Sequence, residues 1–156
     1  MTENQNSKDD LFLEVHCPGK GEILSIIRHF VKDVARDMGF KEDEIIKIVM
    51  SVDEACSNVV RHAYERYNSG KTGGGPYEMK IRVKAACDHI CISISDQGVG
   101  DKTGPHKGVR SIEEYQKECH GLGTYIIRKF IDKVEVQYPA DSGTTVSMTK
   151  FLPDDK

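Results

Sequence analysis

The feature that most constrains this chain is a long run of helical periodicity with a polar row set into it. Ile45, Ile48, Val49, Val52, Ala55, Cys56, Val59, Val60 and Ala63 recur at the helical period and mark one apolar face. Glu54, Asn58 and His62 are spaced four apart, so they stack one turn above another on the other face. A carboxylate, an amide and an imidazole in a row are poor choices for a core. They suit a ledge that holds a hydrated cation and activates something bound to it. Taken alone, the same row also describes an ordinary solvated helix surface, so the rest of the chain must decide.

A length of 156 residues suits one domain with a real core. The formal net charge of −3 gives no bulk electrostatic argument for nucleic acid or an anionic membrane. No apolar run is long enough to span a bilayer. Met1 to Asp10 is polar and lacks the apolar centre of a secretion signal, which leads us to expect a cytoplasmic protein. The five cysteines are odd in number and include no CxxC pair, so neither a disulfide framework nor a zinc site is indicated. Cys87 and Cys91 read as small buried apolar residues.

Taken in order, Leu11 to Cys17 alternates as a strand and Pro18-Gly19 ends it. Lys20 to Met38 has helical spacing, and Gly39 stops it. The second helix runs from Lys41 or Glu42 to about Glu65. Asn68 to Pro76 is a loop. Its Gly70-Lys71-Thr72 lacks the upstream glycine and the strand–helix context of a phosphate loop. Tyr77–Ala86 and His89–Ser95 form an antiparallel hairpin. The polar segment Asp101 to Cys119, with a short helix expected at Ser111–Lys117, reads as a lid or loop. Gly121–Asp132 is a helix, and Lys133–Pro139 and Thr144–Phe151 are strands. This order predicts an α+β fold, a two-layer α/β sandwich with one mixed, mainly antiparallel sheet and helices on one face. It also predicts a single domain over 11–151, with tails at 1–10 and 152–156.

Three further stretches can carry chemistry. Asp96-Gln97-Gly98-Val99-Gly100 follows a strand; its carboxylate can accept from an exocyclic amine, and its glycines allow a flat ligand to approach the backbone. His120-Gly121-Leu122-Gly123-Thr124 opens a helix and exposes N–H groups suited to phosphate oxygens. Ser142-Gly143-Thr144-Thr145 can bring a hydroxyl to a base. Each is ordinary on its own. In this order, with the ledge before them and a lid between, they supply cation, base, closure, phosphate and base contacts of one nucleotide site.

This order resembles the GHKL ATPase superfamily, whose Bergerat fold is histidine-kinase-like, over residues 11 to 151. Glu54-x-x-x-Asn58 resembles its N box, Asp96-x-Gly98-x-Gly100 its G1 box, Gly121-x-Gly123 its G2 box, and Gly143-Thr144-Thr145 its last threonine element. Glu54-Ala55-x-x-Asn58-x-x-x-His62-x-Tyr64 and the short length resemble the anti-sigma-factor serine kinases of the RsbW and SpoIIAB type.

The resemblance implies binding of ATP with Mg2+ and transfer of the γ-phosphoryl group to a serine or threonine of a STAS-domain anti-anti-sigma protein. A sigma factor as second partner and a homodimer are implied too. By position, Glu54 would be the general base or water-positioning carboxylate and Asn58 the magnesium ligand. Asp96 would take the adenine amine, with Gly98 and Gly100 fitting base and lid. Gly121, Leu122 and Gly123 would offer N–H groups to phosphate. Thr145, or Thr144, would support adenine through water. Lys107, Arg110 and His120 are candidates for phosphate charge. A non-catalytic, ATP-gated binding module is the alternative. The catalytic module of a split histidine kinase ranks below both, because no dimerisation helix pair with its own acceptor histidine is present.

Overall fold

The computed structural model describes residues 11–68, 78–96, 108–110, 122–138 and 143–153. In chain order these form β1 (Leu11–Pro18), α1 (Leu24–Asp37), α2 (Glu42–Asn68), β2 (Glu78–Ala85), β3 (His89–Asp96), β4 (Gly108–Arg110), α3 (Leu122–Phe130), β5 (Lys133–Tyr138) and β6 (Thr145–Phe151). The six strands make one sheet in the order β1-β2-β3-β6-β5-β4. Every pairing among them is antiparallel. The sheet, expected to be mixed and mainly antiparallel, is antiparallel throughout the described strands.

The alternation of the strands sets the layers. Met79, Ile81 and Val83 of β2, Ile90, Ile92 and Ile94 of β3, and Val146 and Met148 of β6 are all buried on one face. They join Ile27, Val31 and Ala35 of α1 and Ile45, Ile48, Val52, Ala55 and Cys56 of α2 in one core. Burial of this much aliphatic surface, at about 25 cal/mol per Å2, is the main force holding helices to sheet. The opposite face carries hydroxyls: Ser93 and Ser147 meet across the strands at 2.8 Å, as do Ser95 and Thr145. α2 packs against α1 on one side and α3 on the other.

The ends of α1 follow from sequence. Gly39, at φ 92°, is the only described residue with positive φ. It allows the Gly39 N–H to reach Arg36 O at 2.9 Å and the Phe40 N–H to reach Ala35 O at 3.2 Å, a Schellman closure. Phe40 is buried beyond it and locks the turn to the core. Arg28 Nη1 then ties α1 to Asp53 Oδ1 of α2 at 2.6 Å.

At the other end of α2, Glu44 enters an ion cluster. Lys150 Nζ lies 3.0 Å from both Glu44 Oε2 and Asp132 Oδ1. The contact with Glu44 is an ion pair between largely buried side chains. Lys47 bonds the other Glu44 oxygen, and the Phe151 N–H donates to Asp132 Oδ2 at 2.9 Å. The hydrogen bond from Lys47 holds the Glu44 carboxyl below its ordinary range; desolvation opposes this, and Lys150 adds to the lowering.

Three expectations need revision. The segment after residue 100 holds a short edge strand, β4, paired with β5 through Gly108, Val109 and Arg110; a three-residue strand has too few positions to show alternation. The first helix begins later than expected, because Gly21–Ile23 forms a 3-10 turn ahead of it. Cys87 is exposed and Cys91 half-buried rather than core residues, because Cys87 falls in the hairpin turn and Cys91 on the hydroxyl face. The loop at 69–77 and the expected helix at Ser111–Lys117 lie outside the described residues.

Candidate functional site

The site forms where β3 ends, β6 begins and α2 crosses above them. Burial alternates along β3, so the period that buries Ile90, Ile92 and Ile94 also carries Asp96 to the core-facing side. There the sheet runs out of apolar cover. Asp96 is 6% exposed and Asn58 9% exposed, both beside the apolar core. Ala55, Asn58 and Val59 of α2, Ile94 and Asp96 of β3, and Thr144 and Val146 line a cleft.

Asn58 is thus a cleft wall, not part of a solvated ledge. The row Glu54–Asn58 borders the apolar face of α2 instead of opposing it, since Ala55 and Val59 line the same cleft. A buried amide is stable only where its oxygen and NH2 find hydrogen-bond partners. Burial pushes the thiol of neighbouring Cys56 far above its ordinary range, so no thiolate competes at the site.

Glu54 meets α3. A Cβ built on Gly123 would lie 2.3 Å from Glu54 Oε2 and 3.2 Å from its Cδ. The carboxylate occupies space that any other residue at position 123 would fill. Gly123 is the second residue of α3 and Leu122, 72% exposed, is the first. The start of α3, where N–H groups lack helical partners, therefore lies beside the Glu54 carboxylate.

Asp96 is gripped in a similar way. The Thr144 N–H donates to Asp96 Oδ1 at 3.0 Å, and the Asp96 N–H donates to Thr144 O at 3.0 Å. A Cβ on Gly143 would lie 1.5 Å from that same Oδ1. Of the two threonines, Thr144 lines the cleft, while Thr145 bonds Ser95 on the hydroxyl face of the sheet.

The fold therefore joins Asn58, Asp96 and Thr144 in one cleft and seats Glu54 on Gly123. Gly98, Gly100, Lys107, His120 and Gly121 lie outside the described residues. Arg110 is placed on edge strand β4, and His62 within α2. Sequence reasoning missed two contacts, the Arg28–Asp53 clamp beside Glu54 and the seat that Gly143 gives Asp96. Both join residues far apart in the chain, and no local pattern announces either. No group of three or more His, Cys, Asp and Glu side chains suited to a metal occurs among the described residues. No described helix is long and apolar enough to cross a membrane.

Comparison with known proteins gives the family and the fold. Residues 17–150 match the family described as histidine kinase-like ATPase domain. The chain is 36% identical over 148 residues to the serine-protein kinase RsbW of Bacillus licheniformis, covering 90% of this chain and 86% of that protein. It is 35% identical over 147 residues to the RsbW of Bacillus pumilus, covering 90% and 85%. It is 32% identical over 151 residues to that of Halalkalibacterium halodurans, covering 92% and 85%. A crystal structure of RsbU and RsbW domains from Mycobacterium tuberculosis has a TM-score of 0.59 at 15% identity, which shows the fold alone. It covers 92% of this chain, and the chain spans 33% of that longer one. The chain belongs to the histidine kinase-like ATPase domain family, in its RsbW-like serine-protein kinase branch.

Proposed function

We propose that this protein transfers the γ-phosphoryl group of ATP to a serine or threonine of a STAS-domain anti-anti-sigma protein, within a cytoplasmic partner-switching pathway. A sigma factor as alternative partner, and a homodimer, complete the reading. The single observation that carries it is the cleft in which Asn58, Asp96 and Thr144 converge, with Glu54 seated at the start of α3.

The residues fit a nucleotide and its cation. Mg2+ binds through one or two protein oxygens and keeps its other positions for water and phosphate. A buried amide oxygen on Asn58, one turn from a carboxylate, matches that demand. Asn58 would hold the cation, whose charge would offset that of the phosphates. Asp96 accepts the amine of the base in the cleft, and Thr144 backs it. Gly121, Leu122 and Gly123 present N–H groups to phosphate, Gly98 and Gly100 let base and lid close, and basic side chains among Lys107, Arg110 and His120 add charge.

Glu54 then works on the incoming hydroxyl. Its carboxylate accepts the proton as the hydroxyl oxygen bonds to the γ-phosphorus, and the bond to the β,γ-bridging oxygen breaks so that ADP leaves with the electron pair. General-base help of this kind is worth about 10²–10⁴-fold. Incubation with γ-labelled ATP, magnesium and a cognate STAS protein should move label to one hydroxyl side chain. Nucleotide binding without any label transfer would leave an ATP-gated binding module instead.

A further inference from the structure

α3 runs antiparallel along α2. At one end Gly123 lies against the Glu54 carboxylate; at the other, Asp132, just past α3, shares Lys150 with Glu44. The outer side of this helix pair carries apolar side chains. Ile46 and Met50 stand one turn apart on α2, 51% and 40% exposed, and Met50 stands one turn before Glu54. Leu122, the neighbour of Gly123, and Tyr125 are exposed on α3. Among the described residues, four of the eight exposed large hydrophobics therefore flank one carboxylate. Singly exposed apolar side chains need no explanation, but a gathering of them marks a surface that something covers.

Resting on the functional reading above, in which Glu54 receives the proton of an incoming hydroxyl, we propose that Ile46, Met50, Leu122 and Tyr125 form the surface on which the phosphoacceptor protein docks. The occupant follows from reach and size. Ala55, Asn58 and Val59 face the nucleotide cleft, so the acceptor hydroxyl comes to Glu54 from the outer side of α2. A protein that delivers a side chain there covers far more than that side chain needs. A stable interface takes about 800 Å2 from each partner, a disc of roughly 16 Å radius. At about 1.5 Å of rise per residue, Met50 lies about 6 Å and Ile46 about 12 Å from Glu54 along α2, and Tyr125 about 3 Å beyond Gly123 along α3. The whole strip falls inside the disc. The matching feature of the acceptor is an apolar surround to the hydroxyl that receives the phosphoryl group, since interface centres are depleted of charge.

The test is label transfer from γ-labelled Mg-ATP to a STAS-domain protein that accepts label from wild type, followed over a range of acceptor concentrations. The variants are Ile46→Ser combined with Met50→Ser, Tyr125→Ser alone, and Phe12→Ser as control, each shown to be folded by circular dichroism. Phe12 is exposed too, but lies on β1. The double variant should raise the KM for the acceptor about tenfold or more, and Tyr125→Ser about threefold or more, as truncated anchor residues do. The kcat at saturating acceptor and the affinity for Mg-ATP should keep their wild-type values, and Phe12→Ser should behave as wild type throughout. A folded double variant with unchanged KM overturns the proposal; if its oligomeric state changes as well, the strip belongs to a second copy of the chain. A loss of kcat or of Mg-ATP affinity at unchanged KM overturns it too, as does an equal rise in KM for Phe12→Ser. Should the double variant not fold, an unchanged KM in folded Tyr125→Ser decides against the proposal in the same way. Wild type that transfers label to no STAS-domain protein removes the functional reading itself, whereas an unchanged KM in folded variants removes this inference alone.

Discussion

Replacing Gly123 by alanine should separate catalysis from nucleotide binding. The added Cβ would lie 2.3 Å from Glu54 Oε2, where ordinary contact begins near 3.4 Å. The carboxylate must retreat by about 1 Å, and a displacement of that size at a reacting group costs about 10²-fold in rate. That corresponds to roughly 2.7 kcal/mol of transition-state stabilisation. The fold should not suffer, because the displaced atom is the end of a flexible side chain and alanine is up to about 1 kcal/mol better than glycine within a helix. The backbone N–H at position 123 is retained. Three measurements check this: thermal melting, Mg-ATP affinity, and single-turnover label transfer. We expect an unchanged or slightly higher melting temperature, affinity within about threefold, and transfer slowed about 10²-fold. Combining the change with Glu54→Gln should add little further loss, since both act on one group. Full transfer activity in Gly123→Ala, or losses that add independently in the double variant, would refute the reasoning.

Three other outcomes follow from named contacts. Asn58→Ala should weaken Mg-ATP binding by about tenfold or more while leaving magnesium-free nucleotide binding nearly unchanged, measured by titration with and without chelator. Lys150→Met should destabilise the fold by about 2 kcal/mol in denaturant melts, because Glu44 and Asp132 lose a largely buried cation. The Glu44 carboxyl is held below its ordinary value of 4.5, so its stabilisation is present above that value and fades as pH falls through the lower folded value; Glu44→Gln should flatten this acid-side loss in pH-dependent melts. With iodoacetamide, Cys87 should react in the native protein, while buried Cys17 and Cys56, both with raised thiol pKa, should stay unmodified until unfolding.

Much of this molecule is written locally. The two-residue period of β2 and β3 and the helical period of α2 predict both the elements and the face they bury. Gly39 announces the end of α1 because one residue in a left-handed conformation suffices to close a helix. The site is legible in a different way. Asp96 and Asn58 stand out by residue type at element positions, but their burial does not, since a polar row at helical spacing looks solvated until neighbours cover it. Here the cover comes from α3 and the start of β6, both distant in sequence. The same holds for the glycines. Gly123 and Gly143 look like breakers at a helix start and a turn, and only the fold reveals that each leaves room for a carboxylate. Thr144 and Thr145 are adjacent and chemically alike; sheet alternation separates them, placing one in the cleft and the other on the hydroxyl face.

The proposed mechanism divides the labour: Glu54 would perform proton transfer while Asn58 and Asp96 bind the nucleotide. Single-turnover transfer from γ-labelled Mg-ATP to a STAS-domain protein, by wild type and Glu54→Gln each saturated with nucleotide beforehand, tests this division. Occupancy by ATP should be equal, with transfer by the variant slowed at least about 10²-fold. Equal transfer rates at equal occupancy would contradict it.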